Sequence, residues 1–353
     1  GVFWYYFEEN NKPSPRVKEE SEYPCQFILQ HKNNSYLFRV TYYKCRINLE
    51  VFHVLTDGMG GINFLRELTY RYLSLIHPEI DTKEGFYLGK DTSLNREDSF
   101  LKNYRIAKKK TYKSSRAYLI KGNRLLPGEF GVIHGYMSIA EIKVACKSYD
   151  VSINEYLVGT FIWSVFKESM HGIPGKRPIR VTVPVNLRPY FDSMTTKNFF
   201  AMVAAEFDPE NREYTFQEVL TIVAESLRKQ INKDHLEEIF SYNVSNEKNI
   251  VARAVPLFIK NIAIRYIYNM SALANTATVT NIGNVTVEKN FEPYIEMFHA
   301  YLAMSKGQLL KGTIASYQDQ LSFNFSSILV DTNIEKRFFR QLVSDGIEVI
   351  VES

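Results

Sequence analysis

Two hydrophobic periods run along the chain, and they change abruptly near one glycine-rich turn. From residue 26 to 55, "QFILQHKNNSYLFRVTYYKCRINLEVFHVL", runs rich in β-branched and aromatic residues flank the polar stretch HKNNS. That pattern predicts a hairpin or meander around HKNNS, with a last strand ending at Leu55. From Gly60 the spacing changes: Ile62, Leu65, Leu68, Tyr72 and Leu75 recur at three- and four-residue steps. This is the period of an amphipathic helix, which Pro78 closes. Before the hairpin, "GVFWYYFEENNKP" predicts a strand running into a turn. After the helix, residues 81–121 are polar, basic and poor in periodicity, as a linker with short helical pieces would be.

Three hydroxyl residues followed three positions later by Glu mark helix starts in the second part: Ser138 with Glu141, Ser152 with Glu155, Thr215 with Glu218. They predict helices over 139–147, 153–168 and from 216 to about 233. Between them "RPIRVTVPVNL" predicts a buried strand over 177–185 that ends in the polar turn Asn186, Leu187, Arg188, Pro189. More helix is expected over 236–270. Its last part, "VARAVPLFIKNIAIRYIYNM", is apolar enough for a mostly buried helix, but Arg253, Lys260 and Arg265 interrupt any bilayer span. "TATVTNIGNVTVE", "EMFHAYLAM", "GTIASYQ" and "LSFNFSS" then predict short strands and turns, and residues 333–343 a final helix. Strands and helices are grouped rather than strictly alternating, which predicts an α+β fold of mixed sheets with helices on one face.

Composition adds bounds. At 353 residues the chain exceeds one ordinary core, so two domains are expected, 1–125 and 126–353. With 45% apolar and 23% charged residues, disorder is not the expectation. The net charge of +4 is thinly spread, with "AKKKTYK" at 107–113 as its one dense run, expected as a solvated helix face, with a phosphate- or membrane-facing patch as the alternative; nucleic acid is not an expected partner. Cys25, Cys45 and Cys146 are odd in number and lack metal-ligand spacing, so reduced thiols in a cytoplasmic protein are expected and no metal site is.

One stretch concentrates candidate chemistry: "VFHVLTDGMGGINF", residues 51–64. A neutral imidazole can take a proton near working pH, and His53 is the one histidine of seven set beside a carboxylate and a glycine turn. Asp57 suits a different task, accepting backbone N–H groups or pairing with an arginine so that the loop is fixed. Gly58, Gly60 and Gly61 allow positive φ and close approach to the backbone. From residue types alone HxxxDG is too short to separate a catalytic base from an ordinary histidine at a strand end.

In order along the chain, however, "FHVLTDGMGGINFLREL", "RVTVPVNLR", "NFF", "VPLFIKN" and "TNIG" together resemble the chloramphenicol acetyltransferase-like superfamily, which includes peptide-synthetase condensation domains. Within it the pattern is most similar to the bacterial alcohol acetyltransferase-like family. The resemblance implies two lobes, each a mixed sheet backed by helices, with a tunnel between them for acyl-CoA and a hydroxyl acceptor. It implies His53 as general base, Asp57 as structural partner and Gly58 as the turn residue. Asn186, Arg188, Thr280, Asn281 and Gly283 become candidates for the tunnel. No bound cofactor is implied, acyl-CoA being a co-substrate whose phosphates Lys108–Lys110 could meet. An amide-forming condensation enzyme and a non-catalytic acyl-CoA or lipid binder are the alternatives. Two departures stand out: Phe52 replaces the first of two adjacent histidines found in many condensation-type members, and the motif comes early, so that much of the first lobe's opening is expected to be missing.

Overall fold

A computed structural model describes residues 3–80, 97–106 and 115–353. The basic run at 107–113 and most of the expected linker lie outside them. The first sheet has three strands: β1 (Lys18–Glu19) parallel to β2 (Phe38–Tyr43), which pairs antiparallel with β3 (Arg46–Val51). The hairpin therefore sits one segment later than HKNNS. Residues 30–32 of that stretch form a single 3-10 turn, and the true turn passes through Lys44 at φ 50° and Cys45. Neither residue carries the glycine or asparagine signal of a tight turn. The expected strand at the start is also absent from residues 3–13, where Trp4, Tyr5, Tyr6 and Phe7 are exposed instead. An exposed aromatic run without a strand beside it has no ladder to join.

The helix after the turn is α1 (Gly58–Ile76), ended at His77 just before Pro78; α2 (Ser99–Asn103) is short. A larger sheet follows, built from β4 (Gly131–Ser138), β5 (Ile179–Asn186), β6 (Phe200–Phe207), β7 (Ala277–Val285), β8 (Leu310–Tyr317), β9 (Gln320–Ser327) and β10 (Ile350–Glu352). Its order is β10-β4-β9-β8-β7-β5-β6, with β7 parallel to both β5 and β8 and the other pairs antiparallel. The connecting helices are α3 (Ile139–Ser148), α4 (Ile153–Ser164), α5 (Arg188–Phe191), α6 (Phe216–Gln230), α7 (Lys233–Lys248), α8 (Ile250–Ala254), α9 (Leu257–Ala272) and α10 (Asn333–Ser344). The fold is α+β with mixed sheets backed by helices, as the grouping of elements predicted.

Two of the three expected capping boxes are complete, Ser152 with Glu155 and Thr215 with Glu218; at α3 only Ser138 takes part, accepting from the Ala140 N–H. Above the sheet, α4, α6 and α10 bury a continuous core in which Phe323, Phe325 and Phe338 lie 4.2–5.1 Å apart. The opposite face is polar although buried: Lys311 stands opposite Ser326, and Thr313 opposite Asn324. Burial pushes the Lys311 amine down to about 8, while its Nζ donates to the Ala303 carbonyl and Ser305 Oγ.

The two parts are joined through α1. Ile62 packs with Val285, Phe298 and Tyr317, and Tyr70 and Leu73 pack with Phe291. The Glu288 N–H donates to Tyr70 Oη at 2.8 Å, and Arg66 Nη1 donates to the Thr286 carbonyl at 3.1 Å. "EMFHAYLAM", expected as a strand, forms none; it places Phe298 against Ile62 of α1 and His299 and Tyr301 beside β4. The apolar segment at 251–270 departs further from expectation. Pro256 separates α8 from α9, and none of the 16 residues of α9 is buried.

Candidate active site

His53 lies in a turn two residues beyond β3, rather than within a strand ending at Leu55, and its side chain is exposed. Phe200, the first residue of β6, stands beside it with ring centroids 5.8 Å apart. The turn is pinned from the loop that precedes β6. Asn198 Nδ2 donates to the His53 carbonyl at 3.0 Å, and Thr56 Oγ1 donates to the Thr196 carbonyl at 2.5 Å. The histidine backbone is thus fixed while the imidazole faces outward.

Asp57 is the N-cap of α1, 8% exposed, with three partners. Oδ1 accepts from the Gly60 N–H at 3.2 Å, and Oδ2 accepts from the Phe199 N–H at 3.0 Å. Arg188 Nη1 completes the set at 2.8 Å from Oδ2. An anion at a helix N-terminus gains from the dipole as well as from the orphan N–H groups. The carboxylate is therefore committed to holding chain segments together.

Arg188 is equally committed. Besides the ion pair, its Nε donates to the Thr195 carbonyl at 2.9 Å, Nη2 to the Lys197 carbonyl at 2.8 Å and Nη1 to Asn186 Oδ1 at 3.1 Å. Asn186 Oδ1 also accepts the Arg188 backbone N–H at 3.1 Å. These bonds make the β5 end and the 195–199 loop one unit with the His53 turn. Asn186 and Arg188 therefore stand beside Asp57 as supports of the turn.

The glycines behave differently from expectation. None of Gly58, Gly60 and Gly61 has positive φ, because α1 begins at Gly58 and all three are helical. Gly60 is required by space: a Cβ there would lie 1.8 Å from Thr56 Oγ1 and 2.6 Å from the Thr196 carbonyl oxygen. A Cβ on Gly58 would meet Ile282 Cδ1 at 2.8 Å, the flexible end of a side chain. Ile282 belongs to the "TNIG" segment. That segment lies inside β7 rather than after it, with a bulge between Asn281 and Asn284 and Gly283 at φ 84°. Asn281 Oδ1 accepts the Gly283 N–H at 2.8 Å, which shapes the bulge. Thr280 is half-buried and Asn281 exposed, and the bulge reaches the glycine turn through Ile282.

A second polar cluster lies on the sheet's polar face, around His134 of β4. His134 Nδ1 is 2.7 Å from Asn324 Oδ1, Tyr301 Oη is 3.2 Å from His134 Nε2, and Tyr136 Oη is 3.0 Å from His299 Nε2. Burial first, then the His134 beside it, push the His299 imidazole down to about 4. Both histidines are tied into the polar core. Among the described residues no group of three or more His, Cys, Asp or Glu is arranged to hold a metal ion.

Neither protein-family models nor curated protein sequences yield a match to this chain. Solved structures do. Polyketide synthase associated protein 5 from Mycobacterium tuberculosis is similar over 93% of this chain and 80% of that chain, at 13% identity and a TM-score of 0.54. The nonribosomal peptide synthetase FmoA3, bound to α-methyl-L-serine-AMP, is similar over 96% of this chain and 37% of that chain, at 15% identity and a TM-score of 0.57. The fold is shared. At these identities the likeness is one of fold, and nothing in it singles out the alcohol acetyltransferases.

Proposed function

We propose that this chain is an acyltransferase that moves an acyl group from a thioester, acyl-CoA as first choice, to a hydroxyl acceptor with His53 as general base. The observation that carries the proposal is the division of labour in HxxxDG. Asp57 is fully occupied by Arg188 and two backbone N–H groups, while His53 is exposed in a turn whose carbonyl is pinned by Asn198. A base must keep its position without spending its imidazole on the scaffold.

In the proposed step the imidazole removes the acceptor hydroxyl proton as that oxygen attacks the thioester carbonyl. The tetrahedral intermediate collapses, the C–S bond breaks, and the thiolate leaves and regains the proton from the imidazolium. Asn186 and Arg188 act indirectly, by fixing Asp57 and the 195–199 loop. For Thr280, Asn281 and Gly283 the support is the contact of Ile282 with Gly58, which puts their bulge at the edge of the same turn.

Incubating the protein with acetyl-CoA and a panel of alcohols and amines, while free thiol is followed, tests the proposal. Release that depends on an acceptor and is lost in His53→Ala is expected; equal rates for both proteins with every acceptor would overturn it. The likeness to a nonribosomal peptide synthetase favours a second reading, amide formation from a carrier-bound thioester. Amide products from a carrier-loaded donor, without turnover of acyl-CoA, would select it.

A further inference from the structure

Helix α9 presents a surface that the proposed chemistry does not use. At about 100° per residue, Phe258, Ile259, Ile262, Tyr266, Ile267 and Met270 share one half of its circumference. All six are exposed, Phe258 by 68% and Ile262 by 71%. Arg265 falls at one border of this stripe and Lys260 at the other. The opposite side is partly covered by the start of the chain: Lys260 Nζ donates to the Phe3 carbonyl at 3.0 Å and lies 3.8 Å from the Trp4 ring, and Asn261 Nδ2 donates to Tyr5 Oη at 2.9 Å. Trp4, Tyr5, Tyr6 and Phe7 thereby add an exposed aromatic rim.

A helix apolar around its circumference is ordinarily buried, and a contiguous exposed patch of this kind marks an interaction site. Charge decides what covers it. No Asp or Glu occurs from residue 249 to 287, whereas Arg253, Lys260 and Arg265 do. A groove of about 540 Å³ beside α8, lined by Phe3, Trp4, Lys248, Ile250 and Arg253, adds one further cation, Lys248, beside Arg253 and the aromatic rings. A two-fold contact with a second copy would place these cations against their own images, because such an interface uses the same patch on both sides. An acidic lipid surface complements both features: the apolar stripe enters the headgroup region, the border cations meet phosphates, and Trp and Tyr favour the interface.

We infer that α9, with the aromatic segment Phe3–Phe7, docks this protein onto the surface of an anionic lipid bilayer. The helix lies in the interface; no described helix is long and apolar enough to cross a membrane.

Cosedimentation of the whole chain with phosphatidylcholine vesicles, with and without phosphatidylserine, tests the inference. Binding to the serine-containing vesicles is expected to be about tenfold stronger or more and to weaken with salt. Phe258→Ser combined with Ile262→Ser should lower it by about tenfold or more at an unchanged melting temperature, since both side chains are exposed. Emission from Trp4 should shift to the blue on binding, because Trp163, the other tryptophan, is already buried. Equal sedimentation of the wild type and the double variant, no preference for acidic vesicles, or a dimer in sedimentation velocity that the double variant dissolves, would each overturn it.

Discussion

Replacing Arg188 by Met removes the cation from Asp57 while keeping much of the side-chain volume. In the folded protein the Asp57 carboxylate would remain 8% exposed with only the Gly60 and Phe199 N–H groups. Breaking one partner of a buried ion pair costs about 3–5 kcal/mol, because the remaining charge is stranded. The Thr195 and Lys197 carbonyls also lose their guanidinium donors, at about 1 kcal/mol each. Water entry at the half-open turn offsets part of this, so a loss of about 3 kcal/mol or more is expected in urea unfolding. Adding Asp57→Asn neutralises the stranded charge and keeps an amide oxygen for one of the two N–H donors, while its NH2 faces the other. The double variant should then be more stable than the two single losses sum to, with a coupling of about 2 kcal/mol. A single-variant loss under about 1 kcal/mol, or additive losses in the cycle, would refute the claim that this pair holds the His53 turn.

Other consequences follow from neighbouring positions. Gly60→Ala should cost about 2–3 kcal/mol in urea unfolding, since its Cβ meets a backbone carbonyl at 2.6 Å, whereas Gly58→Ala should be near neutral because Ile282 can rotate and alanine favours the helix. Asn198→Ala removes the bond to the His53 carbonyl; thioester turnover should fall about tenfold while stability drops by only about 1 kcal/mol. Glu335, 1% exposed in the first turn of α10, has its carboxyl pushed by burial from 4.5 up to about 7. The folded state then holds this proton more tightly than the unfolded one, so stability falls as pH rises from about 4.5 to 7, by about 3 kcal/mol in total. Glu335→Gln should flatten that slope in thermal melts between pH 5 and 8, and an unchanged slope would count against it.

Much of this was legible because the signals are local. Capping boxes located α4 and α6, and the β-branched run located β5 within two residues at its start. The resemblance offered Asn186 and Arg188 only as tunnel candidates; the ion pair of Arg188 with Asp57 was not legible, since 131 residues separate them. Partners at such distances leave no trace in periodicity. The hairpin turn at Lys44 was missed because it uses a left-handed residue without glycine or asparagine. Gly58 was favoured over Gly60 because a motif weights letters, whereas the crowding at Gly60 comes from the folded turn, from Thr56 four residues before it and from the Thr196 carbonyl far away in the chain. Asn198 stood within a quoted motif, but its bond to the His53 backbone needed the fold to become visible.

The same long reach bears on the order in which the protein becomes itself. The bonds Thr56 to Thr196, His53 to Asn198 and Asp57 to Phe199 each close 140–145 residues of chain. Such closures form late, after local helices and hairpins, because their entropy must be met before they stabilise anything. A chain with its first hairpin folded and β6 still unformed would thus carry His53 on an unfixed turn. Hydrogen exchange should show the Gly60 and Phe199 amides opening together, as one unit. A protein built this way fixes the His53 turn only once β6 and the loop before it are in place, so partly folded chains do not present that turn as the native fold does.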